Sequence, residues 1–121
     1  MFRNMSPGAI GIQASMAEVL PLARDAGFEG IDLNVGEAAR IAQETSLDEV
    51  KRMFDDAGMK MGGWGLPVDF RRDEDAFREG LAKLPEMAAL GQALGCTRVP
   101  TWVRPVSDEL TFEENFQLHA R

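Results

Sequence analysis

The chain of 121 residues has room for one domain. With 45% hydrophobic and 27% charged residues it has the composition of a soluble globular domain, which excludes intrinsic disorder. Its net charge of −7 argues against nucleic acid, because phosphate binding needs a basic surface. Along the chain, Met1-Phe2-Arg3-Asn4-Met5-Ser6-Pro7 lacks the apolar core of a signal peptide. No apolar run approaches the ~20 residues that span a bilayer, so no membrane partner is expected. The single cysteine, Cys96, has no internal disulfide partner, and a reducing cytoplasm is the default compartment.

A first strand is required somewhere between Phe2 and Ile12, and the sequence places it poorly. Ser15-Met16-Ala17-Glu18 is a capping box that opens a helix with Val19, Leu22, Ala23 and Ala26 on one face. Pro21 removes one backbone donor from it, and Gly27 marks its end. Ile31, Leu33 and Val35 then alternate with polar residues, which predicts a short strand. After a loop from Val35 to Ser46, Ser46-Leu47-Asp48-Glu49 is a second capping box. The helix behind it carries Leu47, Val50, Phe54 and Ala57 on its apolar face and stops at Gly58. Residues 59–66, rich in glycine, are the next strand candidate. A third helix starts near Asp73, with Phe77, Leu81, Leu84, Ala88 and Gly91 on one face and a bend expected at Pro85. Gly95 closes it. Residues 96–103 read as a fourth strand, followed by a third capping box at Thr111-Phe112-Glu113-Glu114. The helix that it opens carries Phe112, Phe116 and His119, and meets no stop signal.

The repeated phrase is a helix, then Ala-Gly or Leu-Gly, then a short strand, as in Asp25-Ala26-Gly27, Asp56-Ala57-Gly58 and Ala93-Leu94-Gly95. Such alternation predicts an α/β domain over residues 1–121, with four parallel βα units. Helix-to-strand links are short and structural. The longer strand-to-helix links carry the chemistry, because in parallel α/β folds ligands sit at the C-terminal ends of the strands. Those links hold Asn34, Glu37, Trp64, Asp69, Arg71, Arg72, Trp102, Arg104, Ser107 and Asp108.

Each candidate has a plain alternative. Trp64, beside three glycines, is either an apolar wall for a sugar ring or a core residue. Gly62-Gly63-Trp64-Gly65 lacks the Lys-Ser/Thr and the immediate helix of a phosphate loop. Arg104, beside Trp102, either grips a phosphate or carboxylate bidentately or is a solvated loop residue. Asp32 and Asn34 either enter the site or have local partners. His119 reads as a packing residue and Cys96 as a small buried hydrophobe. No Ser-His-Asp set and no cluster with metal-ligand spacing is present.

The stretch Ala26-Gly27-Phe28-Glu29-Gly30-Ile31-Asp32-Leu33 resembles the xylose isomerase-like TIM barrels, the sugar phosphate isomerases and epimerases. Asp56-Ala57-Gly58-Met59-Lys60-Met61 is similar to the family's third-strand lead-in, and Leu94-Gly95-Cys96-Thr97-Arg98-Val99 to its fourth. The resemblance implies the first four units of a (β/α)8 barrel, a fold of about 250 residues. It also implies proton transfer next to a carbonyl of a sugar or sugar phosphate, assisted by a divalent metal (Mn, Mg or Zn). The family's metal ligands, two Glu, an Asp and a His, come from later strands, and no residue of this chain matches one. The family's endonuclease branch carries metal-binding His at the third and fourth strand ends, where this chain has Trp64 and Trp102. On this reading Asn34, Trp64, Trp102 and Arg104 line the substrate mouth, and catalytic residues are not identified. The half-barrel would be inactive alone and leave an edge open to pairing or homo-oligomerisation. The alternatives are a non-catalytic four-strand binding or interaction module and a lyase or dehydratase on the same barrel.

Overall fold

A computed structural model describes residues 1–70, 73–103 and 106–120. Three parallel strands form its sheet: β1 (Asn4–Met5), β2 (Gly30–Ile31) and β3 (Lys60–Met61), in the order β1-β2-β3. Asn4 pairs with Gly30 and Gly30 with Lys60; Met5 pairs with Ile31 and Ile31 with Met61. The regular strands are short, but backbone bonds extend them. Asp32 N–H donates to Met5 O at 2.9 Å, and Gly62 N–H to Ile31 O at 2.8 Å. Side chains alternate across a strand, so Met5, Ile31 and Leu33 share the buried side beneath the helices. Asn4, Asp32 and Gly62 share the opposite side.

The helices begin where capping residues predict. In α1 (Met16–Asp25) the Glu18 carboxylate accepts the Ser15 backbone N–H at 2.9 Å and its hydroxyl at 2.7 Å. This helix buries Met16, Val19, Leu20 and Ala23, so Leu20 rather than Leu22 faces the core. Ser46 caps α3 (Leu47–Ala57) by accepting the Glu49 N–H at 3.2 Å, and Val50 and Phe54 are buried as predicted. Asp73 caps α4 (Glu74–Ala93) through the Ala76 N–H at 2.8 Å. Thr111 and Glu114 cap α5 (Phe112–Ala120) reciprocally. Gly27, Gly58 and Gly95 all adopt left-handed φ, at 82°, 65° and 77°, as helix-ending glycines do.

Three expectations are corrected. Residues 35–46 hold a helix, not only a loop: α2 (Val35–Glu44) is capped by Asn34, whose Oδ1 accepts the Glu37 N–H at 3.1 Å. Val35, Ala38 and Ile41 turn inward, and α2 packs on α3 and α4. On α4 the inward face is Gly80, Leu84, Met87 and Gly91; Leu81 is 43% exposed and Ala88 is exposed. The two glycines let the helix approach its neighbours closely. A Cβ on Gly91 would lie 2.6 Å from Trp64 Nε1, and one on Gly80 2.8 Å from Val68 Cα. Third, residues 96–103 hold no regular strand. They still lie beside the end of β3, where Trp64 N–H donates to Arg98 O at 3.0 Å and Leu66 N–H to Pro100 O at 3.3 Å. Both bonds run the same way, and Pro100 has no N–H with which to return one.

One contiguous core joins these elements, built around the fully buried Trp64, Phe54, Ile31 and Val50. Among the described residues no helix is long and apolar enough to cross a membrane.

Candidate functional site

A cavity of about 900 Å³ opens at the C-terminal ends of β1 and β2. This is the end of a parallel sheet at which ligands bind. Ser6, Asp32, Asn34 and Glu37 are among the polar side chains that line it. Asp32 follows β2 and points to the side away from the helices. Its Oδ1 accepts Asn4 Nδ2 at 2.7 Å, and its Oδ2 takes a short hydrogen bond from the Ser6 hydroxyl. Both donors come from the end of β1, so the carboxylate is held by the strand pairing itself. A carboxylate that accepts one bond on each oxygen still has a lone pair on each for a ligand hydroxyl.

Asn34 sits two residues further on, at the rim. Because its Oδ1 accepts the Glu37 N–H, the amide orientation is fixed and Nδ2 is left as the outward donor. Glu37, one turn into α2, turns back over the cavity. Its carboxylate accepts the Met16 N–H at 3.0 and 3.1 Å and so occupies the start of α1. Carboxylates are favoured there by the exposed N–H groups of the first turn. Ile12, Met16 and Val19 form an apolar wall, and Trp102, 55% exposed, forms part of the opposite rim. A smaller cavity lies on the same side of the sheet, behind Asn4 and Asp32. There the Phe2 ring carries Lys60 Nζ at 5.1 Å and the Arg98 guanidinium at 5.4 Å from its centroid.

The residues singled out from the sequence are thus divided. Asn34 and Trp102 come together at one cavity. Trp64 does not join them: it is 2% exposed, packs in the core, and donates its indole N–H to Cys96 O at 3.0 Å. Arg104 lies outside the described residues, as do Arg71 and Arg72. Ser107 folds locally, its Oγ accepting the N–H groups of Glu109 and Leu110 at 3.2 and 3.1 Å. His119 meets the Phe70 ring edge-on at 5.1 Å, and its Nδ1 lies 2.7 Å from Asn115 O. Cys96 is buried, which pushes its thiol pKa up and keeps it protonated. Ser6 and Asn4 were not foreseen, since the first strand was unplaced. Their only sequence signal is position, beside the strand that carries Asp32.

The described residues of this cavity do not make a metal centre. Among the described residues no group of three or more His, Cys, Asp and Glu side chains converges. The two carboxylates of the cavity are each engaged by the protein's own donors. What the arrangement does offer is hydroxyl recognition: an acceptor pair on Asp32, a donor on Asn34 and an indole face on Trp102. Such a mixture of a few fixed polar groups with apolar walls is typical of small-molecule sites.

Comparison with known proteins supports this architecture. The chain is similar to the solved structure of a xylose isomerase domain protein from Alicyclobacillus acidocaldarius subsp. acidocaldarius, with TM-score 0.62 and 26% sequence identity. The match covers 86% of this chain and 39% of that one, so the chain spans well under half of its neighbour's length. No family model and no curated protein matches the chain. The fold is therefore α/β, and matches part of a xylose isomerase-like TIM barrel.

Proposed function

We propose that the chain forms the substrate-binding part of a sugar isomerase or epimerase, in which a proton moves between carbon atoms next to a carbonyl. The observation that carries this reading is the Asp32-Asn34-Trp102 cavity at the C-terminal end of a xylose isomerase-like sheet. Asp32 accepts ring or chain hydroxyls, Asn34 Nδ2 donates to one, and the Trp102 indole covers the C–H face of the sugar. Proton transfer itself requires an acid and a base beside the reacting carbon. Neither Asp32 nor Glu37 is assigned that role here, because each serves an internal hydrogen bond.

Deuterium uptake tests the reading. The full-length protein in which this chain would form the substrate-binding part is incubated in D2O with divalent cations and a panel of aldoses and ketoses, and exchange at the carbon next to the carbonyl is followed by NMR. Exchange is expected for at least one sugar, falling at least tenfold in Asp32→Asn. A second reading is a sugar-binding module without catalysis, favoured by the lack of converging acid, base or metal-ligand side chains among the described residues. It is adopted if a sugar binds saturably and no exchange occurs. If no sugar binds, both readings fail.

A further inference from the structure

We infer that this cavity holds an uncharged, hydroxyl-bearing part of its ligand, an unphosphorylated sugar or polyol segment, and rejects phosphate. This inference rests on the sugar-site reading above and narrows its substrate class. Helix N-termini are the ready-made phosphate sites of α/β folds, and two of them open on this cavity. The chain's own side chains occupy N–H donors at both. At α1 the Met16 N–H is already donated to both oxygens of Glu37, at 3.0 and 3.1 Å, and the Ser15 N–H to Glu18 at 2.9 Å. At α2 the Glu37 N–H is donated to Asn34 Oδ1 at 3.1 Å. A phosphate seeking these donors would have to displace the Glu37 carboxylate or the Asn34 amide oxygen.

The occupied ends also change the sign of the local charge. Glu37 and Asp32 place two carboxylates on the cavity's lining, and each repels a phosphate dianion. A neutral hydroxyl meets the reverse situation, because it can donate to a carboxylate and accept from Asn34 Nδ2. The same side chains that exclude the anion are therefore the ones that bind the sugar. The counter-arrangement is a phosphate gripped by Arg104, two residues beyond Trp102.

Titration of the protein with D-fructose, D-fructose 6-phosphate and inorganic phosphate separates the two. Trp102 reports occupancy by fluorescence, since Trp64 is sealed in the core; Trp102→Phe identifies its share of the signal. The expected result is a saturable shift with D-fructose, binding of the 6-phosphate at least tenfold weaker, and no shift with inorganic phosphate. Glu37→Gln frees the charge at the start of α1 and should bring the two sugars within about threefold of each other. Asp32→Asn should weaken D-fructose binding at least tenfold, with circular dichroism confirming the fold. Equal or tighter binding of the 6-phosphate, or competition by inorganic phosphate, overturns the inference; loss of that preference in Arg104→Ala would then assign the phosphate to Arg104. Absence of binding by either sugar overturns the sugar-site reading itself, and this inference with it.

Discussion

Residues 1–66 and residues 96–120 carry the same sequence phrase, a strand candidate followed by a capped helix, and end in different states. In the first region each strand finds a parallel neighbour, and the apolar faces of α1 and α3 close over it. In the second, Arg98 and Pro100 accept hydrogen bonds from the end of β3 without forming a regular strand, and Val99, Trp102, Val103 and Val106 are exposed. On α5, Phe112 is 74% and Phe116 54% exposed, their rings stacked 6.3 Å apart on each other rather than on a core. An amphipathic pattern fixes which residues seek burial, but burial itself requires a surface to cover them. The first region supplies that surface from within the described chain and the second does not.

The contrast is broken or sharpened most strongly by truncating one phenylalanine in each region. Phe54→Ala should lower unfolding free energy by about 3–5 kcal/mol in urea titrations. Phe112→Ala should change it by less than about 0.5 kcal/mol, as an exposed site does. Comparable losses would show that α5 is packed as tightly as α3. Gly91→Ala probes the joint between the regions: the added Cβ meets Trp64 Nε1 at 2.6 Å and Cys96 O at 2.9 Å. A loss of about 1–3 kcal/mol is expected from overpacking, with a red shift of Trp64 emission. Capping gives a smaller test. Ser46→Ala should cost about 1 kcal/mol of global stability, whereas Thr111→Ala should speed amide exchange in α5 and leave the unfolding midpoint in place.

Acid gives the smallest effect. Hydrogen bonds from Ser15 hold the Glu18 carboxyl below its usual 4.5, and those from Thr111 do the same for Glu114. A carboxyl whose folded pKa is depressed stabilises the fold above the unfolded value and loses that contribution as pH falls through the folded one. Helix content followed by circular dichroism should therefore decline below about pH 4.5. Glu114→Gln should remove the part of the decline that belongs to α5. A helix content flat from pH 7 to pH 3 would deny the boxes any role.

Much of the fold was legible because its signals are local. Capping residues three positions apart and glycines after Ala or Leu depend on one turn of chain, and α1, α3, α4 and α5 begin where those residues stand. Asn34-Val35-Gly36-Glu37 carried a similar signal for α2; the Asn-x-x-Glu spacing was there, but a polar link was expected at a strand end. On α4, Leu84 and Gly91 stand on the inward face as the spacing predicts, but Gly80 and Met87 take the places expected of Leu81 and Ala88, since Gly80 marks that face by its smallness and not by hydropathy. The site was less legible. Asn34 and Trp102 were placed by their positions after strands. Trp64 stands at an equivalent position, and only its bond to Cys96 O, 32 residues away, shows that it belongs to the core. The Asn4 and Ser6 bonds to Asp32 span 28 and 26 residues, a separation that no short motif records.

Gly62 has a consequence for shape. In a flat sheet, strands separated by a third lie about 9.6 Å apart. Yet Asn4, on β1, fills the place of a side chain on the strand beyond β2: a Cβ on Gly62 would fall 2.1 Å from its Oδ1. The three strands must therefore curl inward like barrel staves, with one amide setting how tightly they bend. Such bending is what brings a ribbon of strands round to meet its own edge. An arc of three strands already carries that bend.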